Sequence, residues 1–200
     1  MVLEHFKDRF EKQKRHAINK LDVSIRVGDV DSGIVRLLQT LNACGEYYTT
    51  SSCEGRIQLF QDVGSKKDNR SLGCWHRKVS HLEVLQAFKP VKGILYFKFE
   101  PPILHVAAQN IEAARRLLIC AREAGFKKSG IQAVKHERFM VELASTENID
   151  APVMDDGRKL VSDDYVKYLV KLANGKHART QLKIRKLEKL VASLNDAVKT

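Results

Sequence analysis

Twice in this chain a helix-spaced apolar run ends at a glycine, and two segments of strand character follow. In the first round Ile34, Leu37, Leu38 and Leu41 lead to Gly45, then to Tyr47–Thr50 and Arg56–Gln61. In the second, Asn110 caps a run with Ile111, Ala114, Leu118 and Ala121 on its inner face; Gly125 ends it, and Gly130–Lys135 and Arg138–Ala144 follow. The period switches from 3.6 to 2 at each glycine, so neither an all-helical nor an all-β fold accommodates the chain. The expected class is α+β: a mixed β-sheet built from two similar α/β halves, about residues 21–90 and 91–160, in one domain spanning 1–200. Ser52 to Ile57 (Ser-x-x-Gly-Arg-Ile) and Ser129 to Ile131 (Ser-Gly-Ile) are the faint echo between the halves.

Helices flank this repeat. Phe6, Phe10, Ala17 and Leu21 predict a first helix over about 2–20, and Val27 to Gly33 a turn-rich link with Asp31 or Ser32 as cap. Residues 161–200 read as C-terminal helices. Tyr165, Leu169 and Leu172 begin them, Asn174-Gly175 is a possible break, and Ile184, Leu187, Leu190, Val191, Leu194 and Val198 form a second stripe. Between the halves, Asp62 to Gly73 reads as a mobile polar loop, Trp75–Ser80 as a short strand and His81–Phe88 as a helix. Ile94–Phe99 and Ile103–Ala108 are strands separated by Pro101-Pro102, which interrupts backbone donation.

The 200 residues carry a formal net charge of +11. A basic surface favours a nucleic-acid partner, although solvated lysines give the same count. Lys176, Arg179, Lys183 and Lys186 fall on one line of the closing helix, placed to touch phosphates or only water. No apolar run is long enough to span a bilayer, and the charged start has no signal-peptide core. The four cysteines are widely spaced, so reduced thiols in a cytoplasmic protein are expected. No membrane partner is expected, and a monomer is.

Chemistry concentrates at Thr49 to Phe60. Ser51, Ser52 and Cys53 form a turn after the Tyr47–Thr50 strand, Gly55 allows a tight turn, and Arg56 is a fixed cation at the start of the next strand. Hydroxyls, backbone N–H groups and a guanidinium suit an anionic or polar ligand, though most such turns are only turns. His105 alternates with Leu104 and Val106, which sends its imidazole away from the apolar side. His76 beside Trp75 pairs a titratable group with a flat surface on which a base can stack. Each has a bland counterpart: a hydrogen-bonded sheet histidine and a packed tryptophan. Glycine-rich nucleotide loops and paired metal-ligand motifs are missing, and Cys53, Cys74 and His76 have the wrong spacing for a zinc module. No metal is expected.

Four motifs occur in fixed order: Thr-Thr-Ser-Ser-Cys-x-Gly-Arg (Thr49 to Arg56), the Trp75-His76 pair, Lys-Phe-Glu-Pro-x-Ile-Leu-His-Val (Lys98 to Val106) and Gly-Phe-x-x-Ser-Gly-Ile (Gly125 to Ile131). With them the chain closely resembles the wybutosine-synthesis methyltransferase family, in its archaeal form. The resemblance implies S-adenosylmethionine as methyl donor. The acceptor it implies is N4 of a tricyclic demethylwyosine base, made from the guanosine 3′ of the anticodon in phenylalanine tRNA. It also implies a fold unlike the doubly wound methyltransferases. Ser51, Ser52, Cys53, Gly55, Arg56 and Ser129 are then the donor-binding candidates, and His105 and His76 the catalytic ones. Trp75 and the line Lys176, Arg179, Lys183, Lys186 are the tRNA-binding candidates. Glu54 and Pro102 depart from the family pattern, which has a small hydroxyl residue and Phe there in many members. The alternative reading is a non-catalytic RNA-binding module.

Overall fold

The computed structural model describes residues 2–135 and 138–197. Val198 lies outside the described residues, as does the side chain of Phe6. The elements are α1 (Val2–Val27), a 3-10 turn (Ser32–Ile34), α2 (Val35–Ala43), β1 (Tyr47–Cys53), β2 (Arg56–Asp62), β3 (Arg70–Trp75), α3 (His81–Gln86), β4 (Ile94–Glu100), β5 (Ile103–Ala108), α4 (Ile111–Ala124), β6 (Gly130–Lys135), β7 (Arg138–Ala144), β8 (Ile149–Asp155), β9 (Arg158–Lys159) and α5 (Asp163–Ala197). The α+β class, the N-terminal helices and the long C-terminal helix are as expected. In detail, the strands form two antiparallel sheets where one sheet of mixed direction was expected, in the orders β1-β5-β7-β6 and β3-β2-β4-β8-β9.

Two compact units contain these sheets. The first comprises Met1–Glu54, Pro102–Thr146 and Gln181–Thr200; the second comprises Gly55–Pro101 and Glu147–Thr180.

In the first unit alternation assigns the faces of the sheet. Tyr47, Leu104, Val106, Val141 and Leu143 point to one side, where they meet Leu37, Leu38 and Leu41 of α2, Leu117 and Ala121 of α4, and Ile184, Leu187 and Val191 of α5. Burying each leucine, isoleucine or valine there contributes about 1.5–3 kcal/mol before entropy is counted. The Tyr47 hydroxyl donates to Ala113 O at 2.9 Å, and burial pushes its pKa up. The opposite face is thinner: Tyr48, Ala107 and Met140 meet Phe10 and Ala17 of α1. Asn110 caps α4 through Ala113 N–H, and Gly125, left-handed at φ 99°, ends it. Asp31 precedes the 3-10 turn without capping it; its carboxylate accepts the Glu54 N–H at 2.9 Å.

In the second unit Ile57, Leu59, Leu95, Phe97, Phe99 and Val153 form the buried face of the five-stranded sheet, covered by Val84 of α3 and by Val166, Leu169 and Val170 of α5. Ser80 and Glu83 close a reciprocal capping box at α3. Helix α5 continues through Asn174-Gly175, where a break was read. The Asn174 side chain accepts Val79 N–H and donates to Val79 O, so it works sideways and leaves the helix ladder intact.

Candidate active site

Strand order decides which polar side chains meet. In the four-stranded sheet, Ser51 lies opposite His105, and His105 opposite Glu142. Leu104 and Val106 are fully buried in the first core, so His105 between them faces the α1 side. The same phase in β7 turns Val141 and Leu143 inward and Glu142 outward. Ser51 joins the row through an irregularity. Thr49 pairs with Val106 and Ser51 with His105, so Thr50 is an extra residue in β1. Without it Ser51 would share the side of Thr49, which is buried against Asn42. The bulge re-aims the hydroxyl.

The three groups touch in sequence. Ser51 Oγ lies 2.9 Å from His105 Nδ1, and His105 Nε2 lies 3.1 Å from Glu142 Oε2. Side-chain exposure of 32% for His105 and 22% for Glu142 leaves the pair half-shielded. Thr50 Oγ1 donates to His105 O at 3.3 Å, tying the bulge to the same strand.

Ser51 also borders a cavity of about 630 Å³ in the first unit. One wall is β1, through Tyr48, Thr50, Ser51 and Ser52; the other is α1, through Lys12, His16 and Lys20, one turn apart. Arg138 Nη1 donates to Tyr48 OH at 2.6 Å and to Gln13 Oε1 at 3.2 Å, which fixes a guanidinium at the lining. Hydroxyls facing cations are suited to a ligand with carboxylate or phosphate oxygens.

Of the residues singled out from sequence, Ser51 and Ser52 line this cavity, and His105 lies behind Ser51, 2.9 Å from its hydroxyl. Cys53 is half-buried in the same unit but is not part of the cavity wall. Ser129 is buried: its Oγ donates to Phe126 O at 2.7 Å and accepts Ala144 N–H at 3.2 Å, closing the turn after α4. Gly55 and Arg56 belong to the second unit. Gly55 has φ 94°, the left-handed turn expected of it, and Arg56 Nε donates to Glu100 Oε2 at 2.6 Å across β2 and β4. Trp75 and His76 are also in the second unit. The Trp75 ring lies so close over Gly73 that a Cβ there would collide with it, and Cys74 Sγ is 3.7 Å from His76 Nε2. Lys176 and Arg179 fall in the second unit, Lys183 and Lys186 in the first. Arg179 and Lys186 are exposed, and Lys186 Nζ donates to Glu123 O at 2.8 Å.

Glu142, Arg138 and the α1 stripe were not read from sequence. The outward phase of Glu142 was legible in Val141 and Leu143; its neighbour was not, because β5 and β7 pair across an intervening helix and strand. Glu54, one of the two departures from the family pattern, is 5% exposed with Oε2 unpartnered among the described residues. Burial, and next the charge of Asp31, raise its pKa to about 7. A Cβ at Gly33 would collide with Glu54 Oε2, so a larger residue there requires the carboxyl to move.

An α+β fold with no glycine-rich nucleotide loop and with a pocket on one sheet face stands outside the doubly wound enzymes, and its relatives are methyltransferases by name. The chain belongs to the methyltransferase TYW3 family, whose model matches residues 12–193. It is 40% identical over 192 residues, 94% of this chain and 99% of the relative, to a Pyrococcus abyssi protein named tRNA(Phe) 7-((3-amino-3-carboxypropyl)-4-demethylwyosine(37)-N(4))-methyltransferase 1. A Methanocaldococcus jannaschii protein named as a methyltransferase of the same tRNA(Phe) base is 36% identical, over 86% of this chain and 91% of its own. Among solved structures, the PH1069 protein of Pyrococcus horikoshii matches with a TM-score of 0.88 at 37% identity, covering 93% of this chain and 97% of that one. Among the described residues no helix is long and apolar enough to cross a membrane.

Proposed function

We propose that this chain is an S-adenosylmethionine-dependent tRNA methyltransferase. Its acceptor is N4 of the (3-amino-3-carboxypropyl)-demethylwyosine base in phenylalanine tRNA, beside the anticodon. One observation carries this reading: 40% identity along 94% of the chain to a protein bearing that activity in its name. The cavity supports it. Its volume, about 630 Å³, lies within the roughly 300–1,000 Å³ of small-molecule sites. The Ser52 hydroxyl and the Arg138 guanidinium suit the donor's amino-acid end. When bound, the donor supplies a sulfonium methyl that is already electrophilic. The chain's remaining tasks are to position the acceptor and to take its proton. His105 is placed for the second task through Ser51 at the pocket wall. A module that only bound RNA would have no use for a serine, imidazole and carboxylate in hydrogen-bonded register.

The tRNA is held mainly by charge. A net +11 supplies sequence-independent affinity, and an anticodon-loop base unstacks more cheaply than a paired one. The protein acts as a monomer in the cytoplasm in this reading. Incubation with labelled S-adenosylmethionine and phenylalanine tRNA carrying the precursor base tests the assignment. Label should enter that one nucleotide; protein that binds this tRNA without transferring label is the RNA-binding module instead.

The α5 line has its own test. Neutralising Lys176, Arg179, Lys183 and Lys186 together should weaken tRNA binding and reduce the slope of log K against log salt by roughly 3, at about 0.7–0.9 per phosphate contact. Donor affinity should not move. An unaltered slope makes the line a solvated helix face.

A further inference from the structure

The row Ser51, His105, Glu142 has a direction, and the direction assigns roles. A carboxylate offers only acceptors, so the 3.1 Å contact between Glu142 Oε2 and His105 Nε2 requires the proton on Nε2. A neutral imidazole with its proton on Nε2 has a bare lone pair on Nδ1. That lone pair lies 2.9 Å from Ser51 Oγ, so the serine hydroxyl donates to it. The serine oxygen is then left with its lone pairs free to accept, at the wall of the cavity.

We infer that Ser51, His105 and Glu142 form a proton relay, in which Ser51 touches the acceptor base and Glu142 is a positioning residue that holds His105 in the Nε2–H tautomer. This rests on the methyltransferase reading above. The proton on the acceptor nitrogen passes to Ser51 Oγ as the serine's own proton passes to His105 Nδ1. One N–H and one O–H bond break; one O–H and one N–H bond form. The base nitrogen keeps the electron pair that takes the methyl group. His105 ends as an imidazolium bonded to the Glu142 carboxylate, which stabilises the charge where it appears. The fold builds the relay cheaply. Cross-strand register sets its spacing, the bulge at Thr50 aims the serine, and both histidine nitrogens are committed.

Variants at Ser51, His105 and Glu142 and one spectrum test it. Long-range proton–nitrogen correlation on labelled protein alone, with His105→Asn to assign the signal, should show the Nε2–H tautomer. In Glu142→Gln the isosteric amide can donate to Nε2, so the tautomer should shift to Nδ1–H. Its kcat should fall about 10²-fold with KM near the unaltered value, because residue 142 touches no substrate. Glu142→Asp should recover part of the loss. Ser51→Ala should match the loss of His105→Asn, and the double variant should be no worse than either alone, as expected of groups acting as one unit. An Nδ1–H tautomer in the unaltered protein overturns the relay. So does a Glu142→Gln protein that keeps tautomer and kcat, or a Ser51→Ala protein that keeps kcat. The tautomer is read without donor or tRNA. If the tautomer behaves as stated but the unaltered protein transfers no methyl group, the functional reading fails and the relay with it; if transfer is normal and the tautomer is wrong, only the relay fails.

Discussion

His105→Asn should lower the rate of methyl transfer by about 10²-fold or more, the usual scale of acid–base assistance, while the melting temperature stays close to that of the unaltered protein. Two structural facts set this expectation. Leu104 and Val106 carry the burial in β5, both at 0% exposure, whereas the His105 side chain is 32% exposed and leaves little apolar contact behind when shortened. The strand's backbone bonds to β1 and β7 do not depend on the residue's identity, and asparagine still offers a donor and an acceptor toward Ser51 and Glu142. What it cannot do is hold a proton near neutral pH. Thermal melts and single-turnover transfer on the same preparation separate the outcomes. A large loss of stability with normal turnover per folded molecule would make His105 a sheet residue and nothing more.

The sequence disclosed the parts of this site whose determinants are local. Asn110 and Gly125 bracket α4 because capping and left-handed termination need only their own neighbourhood. The phase of His105 followed from Leu104 and Val106. Three things were hidden. β3 (Arg70–Trp75) begins inside the stretch Asp62–Gly73 expected as a mobile loop and ends at Trp75, where a strand to Ser80 was expected, because an edge strand pairs on one side only and tolerates Arg70, Ser71 and Gly73. α1 runs to Val27, past the expected end near residue 20, through Val23 and Val27, which are exposed and break the apolar period. Glu142 was invisible because its meaning depends on which strand lies beside β5, a long-range choice made by the sheet. Asn174-Gly175 shows the converse error. Two weak helix formers offered a possible break, yet lateral bonds to Val79 and packing of Val170 and Ala173 hold the helix through them.

Glu54→Gln should make stability independent of one titration that now weakens the protein at neutral and higher pH. Glu54 is 5% exposed, and its pKa is raised to about 7, first by burial and then by the charge of Asp31; the Gly33 backbone N–H opposes them in part. The unfolded chain releases this proton near 4.5 and the folded chain only near 7. Below the lower value both states are protonated and nothing is gained or lost. Between the two, the folded state holds a proton that the unfolded state has given up, so stability falls as pH rises. Above 7 the whole cost is present, about 3 kcal/mol at 1.36 kcal/mol per unit. The glutamine variant should therefore match the unaltered protein at pH 4 and melt roughly 6–12 °C higher at pH 8, at about 2–4 °C per kcal/mol for a chain of this size. The amide also brings a donor near Gln181 Oε1, which with Glu54 Oε2 surrounds the position of a Gly33 Cβ. Glu54→Ser should show the same flattening with a smaller gain, because it leaves space that the glutamine fills. Parallel stability–pH curves for Glu54→Gln and the unaltered chain between pH 4 and 8 would mean that Glu54 ionises normally, and that water reaches a carboxyl the packing around Gly33 encloses.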